Sequence, residues 1–196
     1  QLFAHLSEGI FEVAGGELLD TESAFLPPTA ENALTIARYK TASYSFVSPL
    51  LMGATLAGVT DDVLQNLRLF GQALGIAYKL RDDMLDLYGT SKQTGKSIGS
   101  DIREGKRTYL VETYLKVTHN KPAAAFVTAF GNPRATQAQL TSCKRVFQTS
   151  GALDHVEETI ASYLSQAQSL LDTLALSTTY RKDFAQLVAD ASHRLS

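Results

Sequence analysis

Apolar residues recur three and four positions apart along most of the chain, the period of an α-helix that buries one face. The clearest stretch begins at Thr60-Asp61-Asp62, where a capping hydroxyl and two carboxylates suit the positive end of a helix dipole. It runs to about Tyr88 and places Phe70, Ala73, Ala77, Leu80, Met84 and Leu87 on one face. The same spacing predicts helices over about 1–19, 30–57, 107–117, 122–130, 134–149, 152–175 and 179–194. Val156, Ile160, Leu164, Ala167 and Leu171 form the apolar stripe of the long penultimate helix. Phe25-Leu26-Pro27-Pro28 lies in a loop over 21–29, and Pro49 predicts a kink. Asn120-Lys121-Pro122, Gly131-Asn132-Pro133 and Ser150-Gly151 end or separate the later helices. Residues 89–105 form a polar loop. The expected fold class is all-α, in a single domain over 1–196.

The face of the 60–88 helix opposite this stripe carries Gln72, Gly75, Lys79, Asp82 and Asp86, with Asp83 beside them. Asp82 and Asp86 are one turn apart and lean towards one cation or its bound waters. The polar loop adds Lys96, Asp101, Arg103, Lys106 and Arg107. Carboxylates grouped with lysines, with no local His or Cys, suit a hard divalent cation and a phosphorylated ligand. Magnesium fits, because it keeps several waters and takes one or two carboxylates together with phosphate oxygens. Gly75 costs the helix about 1 kcal/mol relative to alanine, so its place on a polar face implies a close approach there. Taken alone, Asp-Asp-x-x-Asp is more often a solvated helix face, on which Lys79 pairs with Asp82 or Asp83.

The order of the surrounding motifs changes that weighting. Tyr78, Lys79, Asp82, Asp83 and Asp86 are followed by Gly95, Lys96, Gly99 and Asp101, then by Gly105, Lys106 and Thr108. Upstream stand Lys40-Thr41-Ala42-Ser43-Tyr44-Ser45-Phe46 and Gly16-Glu17-Leu18-Leu19-Asp20. These motifs resemble, in order and spacing, those of the trans-isoprenyl diphosphate synthases (polyprenyl synthetases), and the resemblance covers residues 1 to about 115. It implies a helical bundle of the isoprenoid (terpene) synthase type. It also implies a magnesium-assisted condensation of an allylic diphosphate with isopentenyl diphosphate, giving a longer trans-polyprenyl diphosphate. Asp82 would bind magnesium directly, with Asp83 and Asp86 acting through water. Lys40 and Lys96 would contact the allylic diphosphate, and Thr41 and Tyr44 would sit near the reacting carbons. Asp101 and Lys106 would order the loop, and Lys79 would add a cation to the diphosphate site or hold the carboxylates in competition with magnesium. The resemblance further implies a homodimer, for which the helix from Lys40 to Ala57 is a candidate, since Phe46, Leu50, Leu51, Met52 and Leu56 exceed one core stripe.

Two positions depart from the family pattern: Lys79 and Glu17 stand where glutamine is usual. The first aspartate-rich motif of the family belongs upstream of Gln1, where the apolar pattern opens mid-helix, so the chain reads as the C-terminal portion of a synthase with its N-terminal helices missing. Such a portion is expected to be inactive alone. Competing readings are a non-catalytic subunit of a heteromeric synthase, a terpene cyclase, and a bundle with a chance acidic cluster. The Lys-Thr motif and the Gly-Lys loop favour the synthase.

Composition narrows the remaining classes. A net charge of −2 gives no reason to expect nucleic acid or an anionic membrane as partner. No apolar run approaches the roughly 18 residues that a bilayer demands. A lone cysteine, Cys143, excludes an internal disulfide and suits a reducing, cytoplasmic setting.

Overall fold

The computed structural model describes residues 1–23, 30–89 and 98–193. Among these the chain is helical throughout, with no strand. The helices are α1 (Leu2–Ser23), α2 (Ala30–Ile36), a π-helix (Ala37–Val47), α3 (Ser48–Leu56), α4 (Asp61–Tyr88), α5 (Ser100–Glu104) and α6 (Tyr109–Val117). They continue with α7 (Ala124–Ala129), α8 (Gln137–Thr149), α9 (Ala152–Thr173) and α10 (Thr178–His193). None of them is long and apolar enough to cross a membrane.

Helix α4 is the axis of the bundle. Its predicted apolar face is buried in full: Phe70, Ala73, Ala77, Leu80, Met84 and Leu87 are each at most 2% exposed. Burial continues round the helix to Leu67, Leu74, Ile76 and Leu85, because the π-helix, α9, α3 and α10 all pack against it. The C-terminal half of α4 joins Tyr109, Val111, Tyr114, Phe126, Leu140 and Phe147 in one cluster. The N-terminal half joins Val47, Leu51, Ala167, Leu171 and Val188 in another. Cys143 sits in the first cluster, where burial pushes its thiol up to about 12.

The segment predicted as one helix with a kink at Pro49 is instead three continuous helical pieces. The irregularity lies before the proline, in the widened coil of residues 37–47, and the Ser48 N–H donates to the Ser43 carbonyl five residues back. Pro49 cannot donate to the carbonyl of Ser45, and its ring crowds a regular α-helical ladder at that point. A π-type register relieves that ladder locally. Pro49 then falls in the first turn of α3, where a missing N–H is harmless.

The widened coil is clamped from both sides by glycines. A Cβ on Gly16 of α1 would lie 2.5 Å from the Lys40 nitrogen, and one on Gly75 of α4 would lie 2.5 Å from the Ala42 Cα. The close approach inferred at Gly75 is therefore real, but its partner is helix backbone, and Gly75 is buried rather than on a polar face. Arg68 of α4 pairs with Glu8 of α1 through both guanidinium nitrogens, at 2.9 and 3.2 Å, which pins α1 across the assembly.

The polar loop predicted over 89–105 contains the short helix α5, flanked by Gly99 and Gly105 at φ +77° and +71°. Its start is capped from a distance. Asp86 accepts hydrogen bonds from the Ser100 hydroxyl and from the Asp101 N–H, the latter at 3.0 Å. Asp86→Ala is expected to lower stability by about 1–2 kcal/mol, the usual worth of a capping residue. In hydrogen exchange, the amides of 100–104 should lose protection before those of α4. Unchanged protection there would show that α5 does not depend on this cap.

Candidate diphosphate and metal site

Helix α1 ends with Glu17 and Asp20 on one face, and the Gly16 contact brings the π-helix close enough for Lys40 to meet both. Lys40 Nζ lies 2.7 Å from Asp20 and 3.0 Å from Glu17. In the C-terminal part of α4, Lys79 donates to Asp83 one turn further on. In the turn after α5, Lys106 donates to Asp101 and pairs with Glu104, each at 2.8 Å. Lys40, Asp20, Lys79, Asp83, Lys106 and Asp101 all line one cavity of about 90 Å³, together with Arg107, Thr108 and Tyr109. Three lysine–carboxylate pairs thus ring a single recess, with a fourth cation in its wall.

The electrostatics follow from partial burial. Burial disfavours the charge on Lys40, Lys79 and Lys106, yet the carboxylates outweigh it and all three are held above the usual lysine range. Asp83, whose side chain is 10% exposed, is pushed up to about 6 by burial, despite the Lys79 ammonium beside it. Arg107 is backed by Glu112, 3.8 Å away and 3% exposed; one carboxylate oxygen of Glu112 has no hydrogen-bond partner.

The structure separates the three aspartates near the C-terminal end of α4. Asp82 is exposed and does not line the cavity, Asp83 faces the cavity in its pair with Lys79, and Asp86 turns to cap α5. Among the described residues, no three His, Cys, Asp or Glu side chains converge as a metal cage. A magnesium ion taking one or two carboxylates and completing its shell with water and phosphate oxygens still fits this donor set. Thr41 is half-buried and Tyr44 is 61% exposed, and neither lines the cavity. Lys96 lies outside the described residues. A larger cavity of about 290 Å³ is bounded by Leu34, Arg38, Gln72, Ile76, Tyr163 and Gln166; with one cation and no carboxylate, it lacks the paired charges of the smaller one.

Glu17 and Asp20 lay in the upstream glycine motif and Arg107 among the loop cations of the sequence, but none of the three had a role at the site assigned to it. The pairing of Glu17 and Asp20 with Lys40 depends on the Gly16 contact, although residues three apart share a helix face. The direction of Arg107 is set by the turn at Gly105.

The fold and the recess define a helical bundle that presents lysines and carboxylates together, a site class for a polyanion with a divalent cation. The chain belongs to the polyprenyl synthetase family, whose model matches residues 1–147. It is 30% identical over 145 residues to a short chain isoprenyl diphosphate synthase of Methanocaldococcus jannaschii, covering 74% of this chain and 44% of that protein. It is 28% identical over 169 residues to a geranylgeranyl diphosphate synthase of Methanosarcina mazei, covering 86% and 50% respectively. The crystal structure of geranylgeranyl pyrophosphate synthase from Corynebacterium glutamicum, complexed with isoprenyl diphosphate and magnesium, superposes with a TM-score of 0.91 at 29% identity. That superposition covers 98% of this chain and 55% of the other. The chain spans about half the length of the curated relatives it matches.

Proposed function

We propose that the chain forms the diphosphate-handling portion of a trans-prenyl diphosphate synthase, which joins an allylic diphosphate to isopentenyl diphosphate. The observation that carries this reading is the ring of three lysine–carboxylate pairs around one recess, drawn from α1, the π-helix, α4, α5 and the turn before α6. Transfer of a prenyl group requires that negative charge accumulating on the departing diphosphate be met by groups already in place. Lys40, Lys79 and Lys106 would donate to the non-bridging oxygens, and Lys96 would join them from the loop. Asp82 and Asp83 would hold magnesium, and Asp86 would fix the loop that closes the recess. Magnesium, when bound, neutralises the diphosphate and makes it a better leaving group. Thr41 and Tyr44 are assigned to the neighbourhood of the reacting carbons by resemblance.

The same reading places the protein in the cytoplasm as a homodimer. The apolar surplus expected between Lys40 and Ala57 is partly absorbed inside the fold, since Leu51 is 2% exposed. Leu56 remains outward at 74% exposed, and a further outward apolar row lies on α1, at Phe3, Ile10, Phe11 and Leu18.

Magnesium-dependent incorporation of isopentenyl diphosphate into a longer allylic product, assayed on the intact polypeptide of the source, tests the proposal. Incorporation that disappears on chelation supports it; failure to bind or elongate any allylic diphosphate overturns it. One observation favours a second reading, a partner subunit without turnover: Glu17 and Lys79 neutralise site charges from within. Diphosphate binding without elongation would select that reading.

A further inference from the structure

Lys40, Lys79 and Lys106 pair with Asp20, Asp83 and Asp101, and those three carboxylates line the same cavity as the lysines. An anion entering the recess must therefore compete, for each lysine, with a carboxylate already inside it. Arg107 lines the cavity too, but the carboxylate paired with it, Glu112, does not. Glu112 stands behind the wall formed by Arg107, Thr108 and Tyr109, since its N–H donates to the Thr108 carbonyl at 3.0 Å in the first turn of α6. Its side chain is 3% exposed, and Oε1 lies 3.8 Å from Arg107 Nη1. Its other oxygen, Oε2, is buried with no hydrogen-bond partner.

We propose that Glu112 is a positioning residue, which holds the Arg107 guanidinium in the recess wall as an anchor for a diphosphate. The inference rests on the site reading given under Proposed function, to which it adds one cation and that cation's support. A buried carboxylate with an unsatisfied oxygen is an unfavourable group to fold around. Burial accordingly pushes the Glu112 carboxyl above the usual carboxylate range, and Arg107 draws it back only in part. For stability alone, a neutral side chain would serve better at this position. What the carboxylate supplies is a fixed direction for its partner. A guanidinium is a planar fork with five N–H donors, so one edge can stay on Glu112 while another meets phosphate oxygens. An ammonium is a point charge on a flexible stem and offers no such division. Held from behind, Arg107 loses little freedom when the anion arrives. Glu112 keeps its partner throughout, and no carboxylate inside the recess is displaced at this point.

The test compares the wild-type chain with Glu112→Gln, Arg107→Gln and the double variant at about pH 8, where carboxylates are ionised. Binding of inorganic diphosphate in the presence of Mg²⁺ is followed by calorimetry, and the melting temperature is recorded without ligand. Arg107→Gln should weaken binding about thirtyfold, through loss of a charge-assisted donor. Glu112→Gln should weaken it about fivefold, through loss of the support alone. In the Arg107→Gln background, adding Glu112→Gln should change binding by less than about twofold, because the two residues act as one unit. The melting temperature of Glu112→Gln should equal or exceed that of the wild type, since the orphaned charge is gone. Should Glu112→Gln fail to fold, Glu112→Asp takes its place, keeping the charge and shortening its reach. A loss of equal size in both backgrounds overturns the proposal, because Glu112 would then act without Arg107. Unchanged binding in the Glu112 variant also overturns it, and a lowered melting temperature beside that result would mark Glu112 as a brace for α6. Either result leaves the site reading intact. Absence of diphosphate binding in every protein, wild type included, overturns both.

Discussion

Gly75→Ala should lower the stability of the chain by about 3 kcal/mol, the upper part of the range for overpacking a tight interior. The new Cβ would lie 2.5 Å from Ala42 Cα, 2.6 Å from Ala42 Cβ and 2.9 Å from a Phe46 ring carbon. Only the last of these can swing aside. The first belongs to the backbone of the π-helix, so α4 and that helix must move apart; in the same seam, a Cβ on Gly71 would lie 3.2 Å from Val47 Cα. For a chain of this size the loss corresponds to a fall in melting temperature of about 6–12 °C by calorimetry. Ala42→Gly in the same background should restore only part of the loss, because it removes the Cβ and leaves the Cα. A melting temperature within a degree or two of wild type would show that the two helices are not locked at this crossing. Lys40 and Lys79 flank the seam, so the same variant should weaken diphosphate binding as the two lysines separate.

That seam marks where the sequence stops being informative. A 3.6-residue period located α4 and its buried face without error, because one side of that helix is apolar over five turns. The period gives no hint that α4 is covered on further sides, and for that reason a helical wheel puts Gly75 with the charged residues. The π-helix is invisible for a related reason. Residues 37–47 have the composition of an ordinary helix, and the widening shows itself only in the ladder before Pro49 and in the contacts made by Gly16 and Gly75, which lie far away in sequence. Helix α5 was hidden in a polar loop because Ile102 is its one buried side chain and its cap, Asp86, belongs to another helix. The glycines at 99 and 105 were the available signal, since both hold positive φ at its ends.

The charges of the site were legible by type rather than by partner. Lys79 and Asp83 are four apart on one helix, and their pairing was an expected alternative. Lys40 with Glu17 and Asp20 needed the tertiary approach of α1, and Lys106 with Asp101 needed the tight turn at Gly105. The family motifs named most of the residues that now share a recess. They did not foretell that three lysines there would each be paired with a carboxylate.

Lys40→Ala should separate the structural role of this lysine from its proposed role at the diphosphate. Its two ion pairs lie near the surface, with the Asp20 and Glu17 side chains 36% and 56% exposed. Solvent screens such pairs to about 0–1 kcal/mol, so the melting temperature should fall by no more than about 3 °C. The effect on ligand should be much larger. Lys40 would offer a charge-assisted hydrogen bond to a diphosphate, and removing one such preorganised donor typically costs 10²- to 10³-fold. Inorganic diphosphate in the presence of Mg²⁺ should therefore bind about a hundredfold more weakly by calorimetry. In any preparation that elongates, the loss should fall on kcat as well as on kcat/KM, because the interaction strengthens as the diphosphate departs. The variant also removes the partner of Asp20 in the recess and of Glu17 beside it, and Glu17→Gln in the same background should recover part of the binding loss by removing one of those charges. If Lys40→Ala binds diphosphate as the wild type does while its melting temperature falls by 10 °C or so, the lysine is a brace between α1 and the π-helix, and the proposed assignment of the recess is wrong at its best-placed cation.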